Sequence, residues 1–190
     1  AEGYVKSGIH KHVLVVGAET ITRFVNWKDR STCVLFGDGA GAAIVSRSKD
    51  GHGILASYLG ADGNQSEILQ IPGGGSRTPP SAESVANGLH YIRMAGPELF
   101  KIAVKTMEQA VLKVLEHEKL SVNDIQCLIP HQANNRILQA VAERLKIDSS
   151  KVFINVDRYG NMSSASIVVA LYEAVKTGAV KKGDYVVLVA

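Results

Sequence analysis

The second half of the sequence alternates between two kinds of apolar pattern, and this alternation constrains the fold more than any other feature. One kind repeats every three or four residues, as in an amphipathic helix, and occurs at 96–120, 137–145 and 166–176. The other is a short continuous run, as in a buried strand, and occurs at 125–129, 152–155 and 185–190. Strands that are separated by helices tend to pair in parallel. The sequence therefore predicts an α/β fold with helices packed on a mainly parallel sheet.

The first half contains further apolar runs that predict strands, at 13–16, 32–36, 42–45 and 54–58. We expect the first three to share one sheet. The segment 72–80 combines consecutive glycines with two final prolines, so we expect it to lack regular structure. The glycine-rich stretch 37–42 does not fit a dinucleotide-binding fingerprint, because that motif needs a helix after it and here a predicted strand follows.

Composition and charge exclude several function classes. A net charge of +3 is too small to indicate non-specific nucleic-acid binding. No stretch approaches the roughly twenty apolar residues that a membrane span needs. The two cysteines lie far apart in a chain that shows no secretory signal, which favours a cytoplasmic location over a disulfide framework. His10 and His12 have no acidic or thiol partner nearby, so we expect no metal site.

A polar turn between a predicted strand and an amphipathic helix contains the most informative residues. This turn is PHQANNRI, at 130–137. Ligands of open α/β sheets collect at the carboxyl ends of strands, and helix N-termini favour negative charge. At this place His131 can donate a hydrogen bond to an oxyanion that develops during a reaction. A capping or core histidine that is satisfied by the backbone would fit the same pattern.

A second turn of the same kind is YGNMSSAS, at 159–166. It also follows a predicted strand and opens a helix, and its small residues permit close approach of the backbone. Asn161 fits the role of an N-cap or turn residue as well as that of a donor. Two turns that each present a neutral hydrogen-bonding side chain at one sheet edge together favour a functional site.

The two turns resemble the histidine and asparagine signatures of the β-ketoacyl-acyl carrier protein synthase III family. The matching patterns are HQANxR at 131–136 and YGNxSxxS at 159–166, and the resemblance extends through FGDGAGA, GADG and MAGPELF to nearly the whole chain. It implies an α/β, thiolase-like fold of αβαβα layers. Residues 1–50 would be the end of its N-terminal half, and residues 51–190 most of its C-terminal half.

The resemblance implies an acyltransferase of fatty acid biosynthesis. Members of the family condense an acyl-CoA starter with malonyl-acyl carrier protein, and this decarboxylative Claisen condensation initiates fatty acid synthesis. A cysteine takes the acyl group, and a histidine and an asparagine promote malonyl decarboxylation. By the match His131 and Asn161 are these catalytic residues, each typically worth about 3 kcal/mol as an enolate donor. The coenzyme A thioester is a substrate, and the resemblance implies no metal or other cofactor.

Further residues match family positions along the path of the substrate. Arg30 matches an arginine that packs against the adenine of coenzyme A, and Asn134 matches a residue that contacts the pantetheine arm. Gly96 and Phe100 match residues of the same tunnel, and Arg136 matches a basic residue where the carrier protein docks. Roles without substrate contact remain open, since both arginines would also fit a solvated surface and Phe100 would also fit a helix core. The resemblance also implies a homodimer.

The family's nucleophilic cysteine has no counterpart among these residues. The match places it shortly before Ala1, and it places the family's glycine-rich turn after Ala190, so we expect the 190-residue chain alone to be inactive. Cys33 and Cys127 lie in apolar runs and should be buried structural thiols. Two rival functions remain, namely another condensing enzyme of this fold, for longer acyl chains or secondary metabolites, and a non-catalytic module that binds acyl thioesters or dimerises.

Overall fold

The computed structural model describes residues 1–48 and 50–190, and in that part of the chain it has six α-helices and six β-strands. The helices are α1 (Glu2–Lys6), α2 (Ala82–Ala86), α3 (Gly96–His117), α4 (Asn135–Leu145), α5 (Val156–Tyr159) and α6 (Ala165–Lys176). The strands are β1 (His12–Glu19), β2 (Gly39–Ser46), β3 (Leu69–Gln70), β4 (Arg93–Met94), β5 (Cys127–Pro130) and β6 (Val186–Val189).

The second half contains the predicted parallel pairing. Strand β5 pairs in parallel with β6, with Cys127 opposite Val186. On the other side of β5, Leu128 forms a parallel bridge with Val152. The strand predicted at 152–155 is wrong beyond this bridge, because the backbone N–H of Asn155 donates to a side chain instead of to a ladder. Parallel pairing between elements separated by helices confirms the predicted α/β class.

The first half forms an antiparallel hairpin. Strands β1 and β2 pair over their whole length, from His12 opposite Ser46 to Glu19 opposite Gly39. The strand predicted at 32–36 is wrong, because residues 32–35 form turns and Phe36 makes only an isolated parallel bridge, with Asn161. The Asp29 carbonyl accepts hydrogen bonds from the N–H groups of both residues 32 and 33, so these groups are not available to a ladder. The strand predicted at 54–58 is also absent from the described secondary structure.

The main core lies between α3, α4 and β5. Val104, Met107, Val111 and Leu115 of α3 are buried, with Val111 fully so, and they pack against α4 and against Leu128. Burying an aliphatic side chain of this size stabilises a fold by about 1.5–3 kcal/mol. Pro97 occupies the first turn of α3, where the missing N–H removes no helical hydrogen bond. The segment 72–80 has no regular structure, as predicted.

Glycines in the hairpin allow helix α6 to approach it closely. A Cβ added to Gly17 would lie 2.5 Å from the carbonyl oxygen of Ser164, at the start of α6. A Cβ added to Gly41 would lie 3.1 Å from the side chain of Val168. Because α6 follows directly after the Asn161 turn, this close packing also fixes where that turn lies.

We expect Gly17→Ala to destabilise the full-length protein by about 1–3 kcal/mol, because the added methyl group has no room beside a backbone carbonyl. Gly3→Ala is the matched control, since a Cβ there meets nothing within 4 Å. In helix α1 this control should be neutral or stabilising by up to about 1 kcal/mol. Urea unfolding of both variants measures the difference. Equal free energies of unfolding would show that α6 does not need this close approach.

Candidate active site

The two predicted donors line one cavity of about 450 Å³. His131 reaches it from the end of β5, and Asn161 reaches it from the turn before α6. Glu19, Phe36 and Ser163 also contribute to its wall. A larger cavity of about 510 Å³ lies between α3, β6 and the segment 53–58, and neither donor lines it. The smaller cavity is therefore the candidate active site.

The backbone of His131 continues the parallel ladder by one residue. Its N–H donates to the carbonyl of Val189 at 2.7 Å, and its carbonyl accepts from the N–H of Ala133 at 2.7 Å. Burial of the ring lowers the pKa of His131 below its ordinary value of 6.5. The imidazole is then neutral at pH 7, and a neutral imidazole keeps one N–H that can donate to an oxyanion.

The Asn161 turn is held by backbone pairing with a distant segment. Its N–H donates to the carbonyl of Leu35 at 2.8 Å, and its carbonyl accepts from the N–H of Gly37 at 3.0 Å. The side-chain oxygen Oδ1 accepts from the backbone N–H of Ser163 at 2.9 Å. This bond orients the amide, so that its Nδ2 group is the part that can donate to a ligand.

Glu19 adds an ionised carboxylate to the wall of the cavity. Its Oε1 accepts from the hydroxyl of Ser164 at 2.6 Å and from the N–H of the same residue at 3.2 Å. These hydrogen bonds lower the pKa of Glu19, so it is charged near neutral pH. The carboxylate links the end of β1 to the start of α6. Its negative charge stabilises the N-terminus of that helix.

The other predicted site residues do not line this cavity. Asn134 is the N-cap of α4, with its Oδ1 accepting from the N–H of Ile137 at 3.0 Å. The Arg136 guanidinium carbon lies 6.0 Å from the ring centroid of Phe100, which itself packs against the main core. Gly96 is the first residue of α3, and Arg30 is exposed in a turn. The structure thus brings His131 and Asn161 to one cavity and Arg136 beside Phe100, and it places the other predicted site residues outside that cavity.

Gln132 and Glu19 were missed as functional candidates from the sequence. Gln132 appeared there only as a letter of the histidine motif, yet its side chain is fully buried. The available signal was alternation, because the residue after His131 at a strand end points to the opposite side from the cavity that His131 lines. For Glu19 no signal was available, since its partner Ser164 is far away in the sequence.

The cysteines do not resemble an activated nucleophile. Cys127 is buried, as predicted, and burial raises the pKa of its thiol, which disfavours the reactive thiolate. Cys33 is half-buried and lies in a turn, so its predicted place in a buried strand is wrong. Among the described residues there is no group of three or more His, Cys, Asp and Glu placed to hold a metal ion. Over the same residues, no helix has the length and apolar character that crossing a membrane requires.

Two sequence profiles of one family match the chain. Residues 1–63 match the profile of 3-oxoacyl-[acyl-carrier-protein] synthase III, and residues 115–190 match the profile of its C-terminal part. The chain belongs to the 3-oxoacyl-[acyl-carrier-protein] synthase III family. Among its relatives, the β-ketoacyl-[acyl-carrier-protein] synthase III of Caldanaerobacter subterraneus subsp. tengcongensis is 55% identical over 190 residues. That of Clostridioides difficile is 52% identical over 189 residues.

Solved structures of synthase III proteins share the fold. The Aquifex aeolicus protein is 47% identical and superimposes with a TM-score of 0.86 over 98% of this chain. The Pseudomonas aeruginosa protein is 35% identical, with a TM-score of 0.88 over 98% of this chain. These likenesses confirm the thiolase-like fold predicted from the two turns. The chain spans 56% and 57% of those two structures, and 57% of the two curated relatives.

We expect His131 of this synthase III chain to titrate below 6.5 in the full-length protein, because burial disfavours the imidazolium. NMR of the labelled imidazole measures the midpoint, and His131→Gln assigns the signal. The unfolded state binds the proton more tightly, so this shift makes stability fall as the pH drops below about 6.5. His131→Gln should lack this part of the pH dependence. A midpoint at or above 6.5 would contradict the buried, neutral ring.

Proposed function

We propose that the full-length protein is a β-ketoacyl-acyl carrier protein synthase III that condenses an acyl-CoA starter with malonyl-acyl carrier protein. The observation that carries this proposal is the meeting of His131 and Asn161 in one cavity. One presents a neutral imidazole and the other an amide whose oxygen is already occupied. Two neutral donors that converge on one space suit the stabilisation of an oxyanion.

The proposed reaction has two steps. First, a cysteine thiolate from outside these residues attacks the acyl-CoA carbonyl, and the coenzyme A thiolate leaves. Second, the bond between the α-carbon and the carboxylate of the malonyl group breaks, which releases carbon dioxide and leaves its electron pair in an enolate. His131 and Asn161 donate hydrogen bonds to the enolate oxygen. The α-carbon then attacks the acyl-cysteine carbonyl, the new carbon–carbon bond forms, and the cysteine thiolate leaves.

Both donors gain from acting in a partly buried cavity. Hydrogen bonds to a developing negative charge are stronger where water is excluded, because the local dielectric constant is low. A neutral histidine also gives this stabilisation without placing a full positive charge in the cavity. The lowered pKa of His131 supports this role, since it keeps the ring neutral through the physiological range.

The remaining assignments extend the same proposal. Arg30, Asn134, Gly96 and Phe100 would contact coenzyme A or the pantetheine arm, and Arg136 would contact the carrier protein. The exposure of Trp27, at 67%, supports a role of the Arg30 loop in binding a planar base. We further propose a cytoplasmic homodimer. Within each subunit, the two thiolase-like halves would meet near residue 50.

A second candidate is a priming ketosynthase of secondary metabolism. The priming β-ketosynthase of the R1128 polyketide biosynthetic pathway is 36% identical and superimposes with a TM-score of 0.83 over 97% of this chain. Both candidates use the same two donors in the same way. They differ in the starter acyl group, so the rates with acetyl-CoA and with longer acyl-CoA thioesters distinguish them.

We expect His131→Ala and Asn161→Ala each to reduce malonyl decarboxylation about a hundredfold to a thousandfold in the full-length enzyme. Acylation of the cysteine should fall much less, because no enolate forms in that step. Carbon dioxide release from malonyl-carrier protein and acetylation of the cysteine are measured separately in each variant. The donor assignment fails if decarboxylation stays near its normal rate in both variants, and His131 then has only a capping or core role.

The cap formed by Asn134 changes what its substitution is expected to do. Asn134→Ala should weaken coenzyme A binding and also cost about 1 kcal/mol of stability, because the N-cap of α4 is lost. Asn134→Asp keeps an oxygen for the cap but removes the amide donor, so it should weaken binding with little change in stability. Arg30→Ala should weaken coenzyme A binding without changing stability. Unchanged coenzyme A affinity by calorimetry in all three variants would remove both residues from the site.

A further inference from the structure

The fully buried side chain of Gln132 joins the end of β5 to the segment 153–156. Its Nε2 donates to the carbonyl of Pro130 at 2.8 Å and to that of Phe153 at 3.2 Å. Its Oε1 accepts from the N–H of Asn155 at 2.8 Å and from that of Val156 at 3.2 Å. The amide therefore uses both donors and both acceptor sites, which holds it in one orientation. A buried amide with four partners has no other arrangement that satisfies all of them.

Gln132 also supplies the cap that helix α5 lacks. Asn155 precedes α5 but makes no side-chain capping hydrogen bond to it. The first N–H groups of a helix have no partner within the helix, and here the Gln132 oxygen accepts from Val156, the first residue of α5. Helix α5 ends at Tyr159, just before the turn that carries Asn161. The position of Gln132 therefore sets where the Asn161 turn begins.

Helix α5 is held from its other side by Glu173 of α6. The Glu173 carboxylate accepts from Asn155 Nδ2 at 2.8 Å, from Arg158 at 2.7 Å and 3.0 Å, and from the hydroxyl of Tyr159 at 2.6 Å. Helix α6 begins directly after the Asn161 turn, so this carboxylate ties both flanks of the turn together. With Gln132 on one side and Glu173 on the other, α5 cannot shift without breaking several hydrogen bonds.

We propose that Gln132 is a positioning residue that fixes the separation between His131 and Asn161. His131 is its covalent neighbour, and Asn161 follows the helix that Gln132 caps. A displacement of about 1 Å between catalytic groups can cost about a hundredfold in rate. This role rests on the proposed function, since the pair must act on one enolate for its separation to matter.

The test replaces Gln132 by Met in the full-length enzyme, which keeps the length of the side chain and removes its four hydrogen bonds. Gln126→Met is the matched control, because Gln126 accepts from the N–H of Tyr185 at 2.6 Å at the opposite end of β5. We expect Gln132→Met to lower the kcat of malonyl decarboxylation about tenfold to a hundredfold. Its KM and its rate of cysteine acetylation should change less than about threefold, and the control should match the wild type.

A double-mutant cycle separates positioning from general support of the fold. In a His131→Ala background there is no pair left to position, so Gln132→Met should cause little further loss of decarboxylation. An equal loss in both backgrounds, or a parallel loss of acetylation, would overturn the proposal. If His131→Ala and Asn161→Ala leave decarboxylation intact, the proposed function itself fails, and the positioning role fails with it.

Gln132→Glu is the second variant, and it decides the question if Gln132→Met does not fold. The carboxylate keeps the acceptor but faces the carbonyls of Pro130 and Phe153 without a proton to donate. When protonated, it donates to one of them again. Relative to the wild type, its decarboxylation rate should therefore rise as the pH falls. A ratio that does not change with pH would count against the positioning role.

Discussion

Two backbone hydrogen bonds hold together the parts of the chain that form the candidate site. The N–H and carbonyl of Asn161 pair with the carbonyl of Leu35 and the N–H of Gly37, and this joins the hairpin region to the last quarter of the sequence. The approach is so close that a side chain at position 37 would collide with the carbonyl of Tyr159. Without this pairing, Asn161 would not share a cavity with Phe36 and Glu19. The backbone contact thus positions side chains that line the cavity.

The electrostatic character of the site follows from how its charged and neutral groups are separated. The carboxylates of Glu19 and Glu173 are both engaged by hydrogen bonds at the ends of α5 and α6. His131, in contrast, is kept neutral by burial. The two carboxylates therefore hold the helices in place, and the two groups proposed to contact the enolate are uncharged donors. This division suits a reaction in which negative charge appears and disappears within one catalytic cycle.

The sequence predicted the features that depend on local patterns. Helices α3, α4 and α6 were predicted from apolar periodicity, and the turns with His131 and Asn161 from polar residues between a strand and a helix. Features that depend on hydrogen bonds outside regular helices and ladders were predicted poorly. Residues 32–36 are apolar enough for a strand, but the Asp29 carbonyl accepts from the N–H groups of Thr32 and Cys33 in turns. The capping of α5 by Gln132 joins segments that periodicity does not relate.

The hydrogen bond from the Ser163 N–H to the Asn161 amide has an entropic consequence for the proposed reaction. Fixing a freely rotating side chain at the moment of binding costs about 0.5–1.5 kcal/mol. Here the amide is oriented by a hydrogen bond within the protein, with Oδ1 accepting from the Ser163 N–H at 2.9 Å. Folding has thus met this cost in advance, with the donor Ser163 held in the left-handed backbone region at a φ of 47°. The rotational freedom of Asn161 is given up once, during folding, and not again in each turnover.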